Sequence, residues 1–264
     1  MTMDVLLGWG VALPLVVGLA LGSMRPTDTR FLATAAVIAF VAARWLTVGA
    51  PRLPPLEALD WPVPLAVAGL VAAWVGGAGQ IVSMGMAIWA LSALLQPRMQ
   101  HGWSPDDAMM RGIAAAASAS VVWTFLHRTS TSVPTREFAP GLALLAGASA
   151  VAIAATGSVE LARTAGMLAA ATGGVAFAAF RVGKTDARPF VDVFALPWLA
   201  LIGGAVLYSE LPVWAAGAIL ASPLGFGLAR GKGAVAGMVA GGGLATIVAG
   251  LLVVSQAGES AQPY

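Results

Sequence analysis

Long apolar runs separated by short polar gaps set the pattern of this chain, and the run lengths point to helices that cross a bilayer. A span needs about 17 to 25 mainly apolar residues, and on that rule the first covers 5 to 22 and the second 31 to 49. Ala50 to Trp61 holds Pro51, Pro54 and Pro55 with Glu57 and Asp60, so it reads as an exposed loop. Residues 62 to 96 are continuously apolar. As one straight helix they would extend about 52 Å, well past a hydrocarbon core of roughly 30 Å. Two short helices meeting at Gly76-Gly77-Ala78-Gly79-Gln80 fit this stretch. The alternative is one kinked or partly re-entrant helix in which unwound backbone around Gln80 lines a cavity.

His101 to Arg111 contains a helix start, with Ser104 as N-cap, Pro105 at the first position and Asp106 and Asp107 in the first turn. The two carboxylates suit the positive end of that helix, which runs to about Leu126 and is closed by His127 and Arg128. After the linker TSTSVPTRE the pattern becomes regular, with apolar runs at 139–157, 161–180, 191–208 and 212–229. They form two hairpins turning at Ser158-Val159-Glu160 and Ser209-Glu210-Leu211-Pro212. Their parts line up at offsets of 49 to 57 residues, as Arg181 with Arg230 and Leu142-Ala143-Leu144 with Leu199-Ala200-Leu201. The hairpins 139–180 and 191–230 thus read as a weak duplication. A last run, 233–254, carries Gly233, Gly237, Gly241, Ala245 and Ala249 at four-residue spacing. That ladder makes a groove in which a second helix approaches closely, expected to pack within the bundle. Ala165, Ala169 and Gly173 give another helix a similar groove.

The expected fold is therefore all-α, a polytopic transmembrane bundle of about ten helices, nine if 62–96 is a single span, in one membrane domain over 1–264. Composition agrees: 59% of residues are hydrophobic, 10% are charged and the mean hydropathy is +0.86, whereas soluble domains carry about a quarter charged residues. The N-terminus lacks a basic region, carries Asp4 and reads as a retained span. The net charge of +2 comes from 14 basic and 12 acidic residues lying mostly in short gaps, so there is no basic face for nucleic acid. The absence of cysteine removes disulfide and thiolate chemistry. The gaps at 181–190 and 230–232 are basic, while the turns at 158–160 and 209–211 hold only acidic charge. The positive-inside rule then puts the basic gaps in the cytoplasm and the C-terminus outside, and with ten helices the N-terminus outside too.

Candidate chemistry is sparse. His101 and His127 have no metal-ligand spacing, and neither a G-x-S-x-G nor a phosphate-cradling motif occurs. No catalytic residue, cofactor or metal is expected, and the chain does not read as an enzyme. Arg44 beside Trp45 reads as an interfacial pair with the guanidinium snorkelling, or alternatively as an intramembrane cation for an anionic solute or lipid. Asp192 follows Arg188 at a helix start, where it either pairs with that arginine or binds a coupling proton or cation. Ser118, Ser120 and Thr124 share a broad helix side that could face a solute or bond back to its own carbonyls. Gln80, Thr124, Arg44 and Asp192 are the candidates for a solute or ion pathway. Trp9, Trp61, Trp103, Trp198 and Trp214 lie near span ends and read as interface anchors.

The order WSPDD before an apolar helix, TGSVELARTAGMLAAATGG and then YSELP is similar to a family of uncharacterised multi-span bacterial membrane proteins, over roughly the C-terminal 160 residues. That resemblance implies a fold and no activity; the expected location is a bacterial cytoplasmic membrane. The architecture is also similar to that of drug and metabolite transporters. Two functions follow as expectations. One is a permease-like secondary transporter of a small solute. The other is a non-catalytic scaffold or subunit that packs against a membrane protein partner through its Gly and Ala faces.

Overall fold

Ten α-helices follow one another in the computed structural model, which describes residues 8–50, 52–55, 57–180, 187–228 and 232–260. They are α1 (Leu13–Met24, preceded by a π-helical turn at Gly8–Ala12), α2 (Thr29–Val48), α3 (Pro62–Val75), α4 (Gly77–His101) and α5 (Pro105–Ser130). The second half contains α6 (Thr135–Ala155), α7 (Val159–Ala179), α8 (Arg188–Tyr208), α9 (Val213–Ala221) and α10 (Ala234–Ser260). Seven of the ten are long and apolar enough to cross a membrane, and three are shorter: α1, α3 and α9 with its 3-10 continuation Ser222–Leu228. The chain is thus a multi-pass integral membrane protein and an all-α helix bundle.

Local chemistry accounts for the helix limits. Asp28 caps α2 by accepting from the Arg30 and Phe31 amides at 3.0 and 3.3 Å. Ser104 caps α5, its Oγ accepting from the Asp107 amide at 3.1 Å and donating to the Asp107 carboxylate at 2.8 Å. The stretch 62–96 is two helices that fold back at Gly76, whose φ of +76° suits a residue without a Cβ. They pack as an antiparallel pair, with Ser83 Oγ donating to the Ala68 carbonyl at 2.9 Å. A Cβ on Gly79 would stand 2.5 Å from the Ala72 Cα, so the two backbones are nearly in contact. The run at 212–229 keeps α geometry only to Ala221. Pro223 removes an amide, and Gly225 lies where a Cβ would stand 2.7 Å from the Ala240 carbonyl carbon of α10. Much of the N-terminal expectation, residues 1 to 7, lies outside the described residues.

Because connections are short, successive helices alternate in direction. One end of the bundle, here the Ser132 end, gathers the connections 25–28, 76, 131–134, 180–187 and 229–233. The other, the Glu210 end, gathers 49–61, 102–104, 156–158 and 209–212. The core lies among α2, α6, α7 and α8 and includes Phe40, Phe138, Leu142, Leu145, Phe190, Phe194 and Trp198, all fully buried. Inside lipid this packing is held by close contact and internal hydrogen bonds rather than by water exclusion. The small-residue ladder of α10 is turned inward. Gly237 approaches the Glu137 carbonyl, Gly241 the Phe226 ring, and Ala245 and Ala249 are buried. Gly233, with φ of +91°, donates its amide to Glu137 Oε1 at 3.1 Å.

Two tryptophans depart from the anchor reading. Trp61 is buried and packs edge-on against Trp89 with ring centroids 5.0 Å apart. Trp198 is fully buried and donates its indole N–H to Ser149 Oγ at 3.0 Å. Position near a span end did not place them at the interface because each found an internal partner. Trp214 is exposed and Trp103 half-buried. The side chain of Trp9 lies outside the described residues.

Candidate functional site

The most and least buried of the long helices meet at the Ser132 end. Within its apolar span α8 is 78% buried, whereas α5 is 11% buried, and residues 113–118 of α5 are exposed on every side. The end of α5 is nonetheless held. Its Ser130 carbonyl accepts from the Ala187 amide at 3.0 Å, just before α8 begins. One turn inside that contact, His127 Nε2 of α5 stands 2.9 Å from Asp192 Oδ1 of α8, with side chains 16% and 6% exposed.

This is a close polar contact rather than a formed hydrogen bond. Oδ1 lies off the direction in which Nε2 would donate, and neither atom finds another hydrogen-bond partner. The indole Nε1 of Trp123 is also buried without one, and its ring meets the His127 ring edge-on at 4.8 Å. Behind the pair, α3 presses against α8 at Asp192 itself. A Cβ on Gly69 would stand 2.6 Å from the Asp192 carbonyl carbon, so the aspartate's backbone is fixed while its carboxylate turns to α5. A partly buried imidazole and a buried carboxylate thus face each other with unused hydrogen-bonding capacity, one on the least buried long helix and one on the most buried.

No family model, curated protein or solved structure matches the chain. The site therefore has to be read from its own geometry.

Of the sequence-based candidates, Asp192 alone lies in this pair. Its carboxylate stands against His127, a neighbour the sequence had not suggested. Thr124 is on α5 three residues before His127 but is exposed, and Gln80 is half-buried at the start of α4, its amide bonded to the Gly76 carbonyl at 3.0 Å. Ser120 bonds back to the Ala116 carbonyl at 2.7 Å. Arg44 is at the opposite end of the bundle, so the four candidates do not form one site. Nor does Arg44 snorkel. It is 3% exposed and donates to the carbonyls of Gly49 and Leu59, both at 3.2 Å, with Asp60 nearby as counter-charge, while Trp45 is the exposed partner. The loop after α2 brings carbonyls to the guanidinium, so the arginine clamps loop to helix without reaching for water.

His127 was missed because a histidine at the close of a helix looks like an end signal. A usable signal was present. Under strict alternation of spans, the last turn of α5 and the first turns of α8 fall at the same end of the bundle.

Among the described residues, the other buried carboxylate near this end is Glu137, fully buried. Its Oε1 accepts from Gly233 and lies 4.0 Å from Arg136 Nε, whereas Oε2 has no hydrogen-bond partner. It sits in the first turn of α6 and caps the start of α10, a structural role suited to the positive ends of two helices.

Proposed function

We propose that this protein is a proton-linked, permease-like secondary transporter of a small solute, in a bacterial cytoplasmic membrane with its C-terminus outside. The observation that carries the reading is the buried His127–Asp192 pair joining α5 to α8. Ionisable residues are costly within a bilayer and tend to face pathways when they occur there. Here they couple the helix best placed to move to the helix least able to. The other charged residues within five positions of the pair on these helices are Arg128 and Arg188, and α3, α9 and the 3-10 segment carry none. Loading Asp192 with a proton weakens its attraction to His127 and loosens the α5 contact. That gives protonation a mechanical consequence. On this reading the pair moves protons and breaks no covalent bond, so the protein is not an enzyme.

The test is a proteoliposome assay with a pH-sensitive dye in the lumen and a broad panel of small solutes outside. At least one solute should drive a lumenal pH change with wild type. Asp192→Asn should abolish it and His127→Gln should slow it at least about tenfold, with Asp106→Asn unaffected. A wild-type protein that moves no solute, or an Asp192→Asn variant with unaltered proton movement, would overturn the proposal.

One observation favours the scaffold reading instead: the all-round exposure of residues 113–118, among them Ala114 to Ala117 and Ser118. A partner helix laid against that segment would make α5 an assembly surface. Native mass measurement in mild detergent separates the two, since the scaffold reading requires a stable complex and the transport reading does not.

A further inference from the structure

A second feature lies at the opposite end of the bundle from His127 and Asp192 and stands apart from the transport reading. Between the end of α6, the connection from α8 to α9 and the last turns of α10 there is a cavity of about 350 Å³. Its walls include Ala155, Thr156, Glu210, Pro212, Leu252 and Gln256. We propose that this cavity binds a small organic monocation, an ammonium group on a short apolar body, with Glu210 as its counter-charge.

Three observations support that chemistry. First, the negative end of α6 points here. The helix finishes at Ala155, and the Thr156 amide turns back to the Ala154 and Ile153 carbonyls. A helix C-terminus favours a cation. Second, among the described residues no Lys or Arg lines the cavity; Arg98, beside the same connection, is held by the Leu207 carbonyl and lies over the Tyr208 ring. Third, Glu210 occupies a position where this chain otherwise uses glycine. Its φ is +55°, and the other positive-φ residues among those described are Gly49, Gly76, Gly102, Gly157 and Gly233. The amides of Ser209 and Leu211 both return to the Ala205 carbonyl, so residue 210 is the left-handed closing residue of α8. A side chain there costs about 1 to 2 kcal/mol relative to glycine. Glu210 is exposed, and its carboxylate, retained against that strain at the mouth of the groove, points to a use for the charge.

Size selects the ligand class. The space is a half-open groove, far larger than a bare metal ion needs. A single carboxylate balances a single positive charge, and Leu252 with Pro212 and Ala155 offers apolar contact for a short alkyl body. The oxygen-bearing groups of Thr156 and Gln256 suit the N–H donors of an ammonium.

The experiment is calorimetric titration of the full chain in nanodiscs of zwitterionic lipid with n-butylammonium, using butan-1-ol and butyrate as neutral and anionic analogues. Wild type should bind the ammonium at one saturable site and neither analogue. Glu210→Gln should weaken binding at least about tenfold, as expected for loss of a charge-assisted contact. Glu210→Gly should lose binding equally while its melting temperature rises, because the strain is relieved. That second variant separates lost binding from lost folding. Glu160→Gln, on the neighbouring turn, should bind like wild type. Absence of saturable ammonium binding, equal binding of butan-1-ol, or affinity in Glu210→Gln within twofold of wild type would each overturn the site. None of these results bears on proton movement through His127 and Asp192.

Discussion

Single glycines in this bundle differ sharply in what they do, and the difference depends on where the neighbouring backbone lies. At Gly69 a methyl group would meet the Asp192 carbonyl, with its carbon 2.6 Å away and the Val193 Cα at 2.9 Å. These are backbone atoms of the most buried long helix and cannot rotate aside. Gly69→Ala should therefore push α3 from α8 and destabilise the protein by about 3 kcal/mol, the upper range for overpacking. At Gly85, in the middle of α4, a methyl would meet nothing within 4 Å. Gly85→Ala should be neutral or stabilise by up to about 1 kcal/mol through helix propensity. Thermal unfolding of both variants in one detergent checks the pair, and equal melting temperatures would contradict it. The sequence could not have ranked these residues. Both are small residues in apolar runs, and only the crossing of α3 over α8 tells them apart. Arg44 and Trp198 teach the same point, since proximity to a span end is readable from sequence and the presence of an internal partner is not.

Elements were legible where their boundary chemistry is local. Ser104-Pro105 with Asp107 marked the start of α5, and the glycines at 76–79 marked the turn between α3 and α4, because caps and turns depend on residues a few positions apart. The break inside 212–229 was not legible, since the composition stays apolar throughout. There the 3-10 segment depends on α10, which is distant in sequence. Ser222 Oγ donates to the Gly241 carbonyl at 3.0 Å and accepts from the Ala245 amide at 3.4 Å. These are the two groups of a single i to i+4 step of α10, so the buried hydroxyl bonds both of them. Ser222→Ala should cost about 1 kcal/mol and Ser222→Val more, because the added methyl must fit against the α10 backbone. Chemical denaturation monitored by helical signal measures both, and a Ser222→Ala variant as stable as wild type would show that α10 closes the step unaided. The His127–Asp192 contact was half legible for a related reason. Each residue was visible in its helix, while their meeting depends on how α5 leans on α8.

At the scale of the whole molecule, alternation of ten helices sorts the charges. By their place along the sequence, the Ser132 end receives Arg25, Arg30, Arg128, Arg136, Arg181, Lys184, Arg188, Arg230 and Lys232 against four acids, Asp28, Glu137, Asp186 and Asp192. The Glu210 end receives Asp4, Glu57, Asp60, Asp106, Asp107, Glu160, Glu210 and Glu259, with five arginines. Resolving 62–96 into two helices produces this separation. With a single span, the direction of every earlier helix would reverse, and Arg25 and Arg30 would join the acidic end. On the topology proposed above, the Ser132 end faces the cytoplasm, as the positive-inside rule would have it. The ammonium cavity would face outside, and the His127–Asp192 pair would lie near the cytoplasmic face. The chain has no cysteine, so single-cysteine variants carry no background. Thr131 and Glu57 are exposed in connections at opposite ends of the bundle. In intact cells a membrane-impermeant maleimide should label Glu57→Cys within minutes and leave Thr131→Cys unlabelled until the membrane is permeabilised. Labelling of Thr131→Cys from outside, with Glu57→Cys protected, would invert the topology. Labelling of both from outside would show that the α3–α4 hairpin does not place these connections on opposite faces.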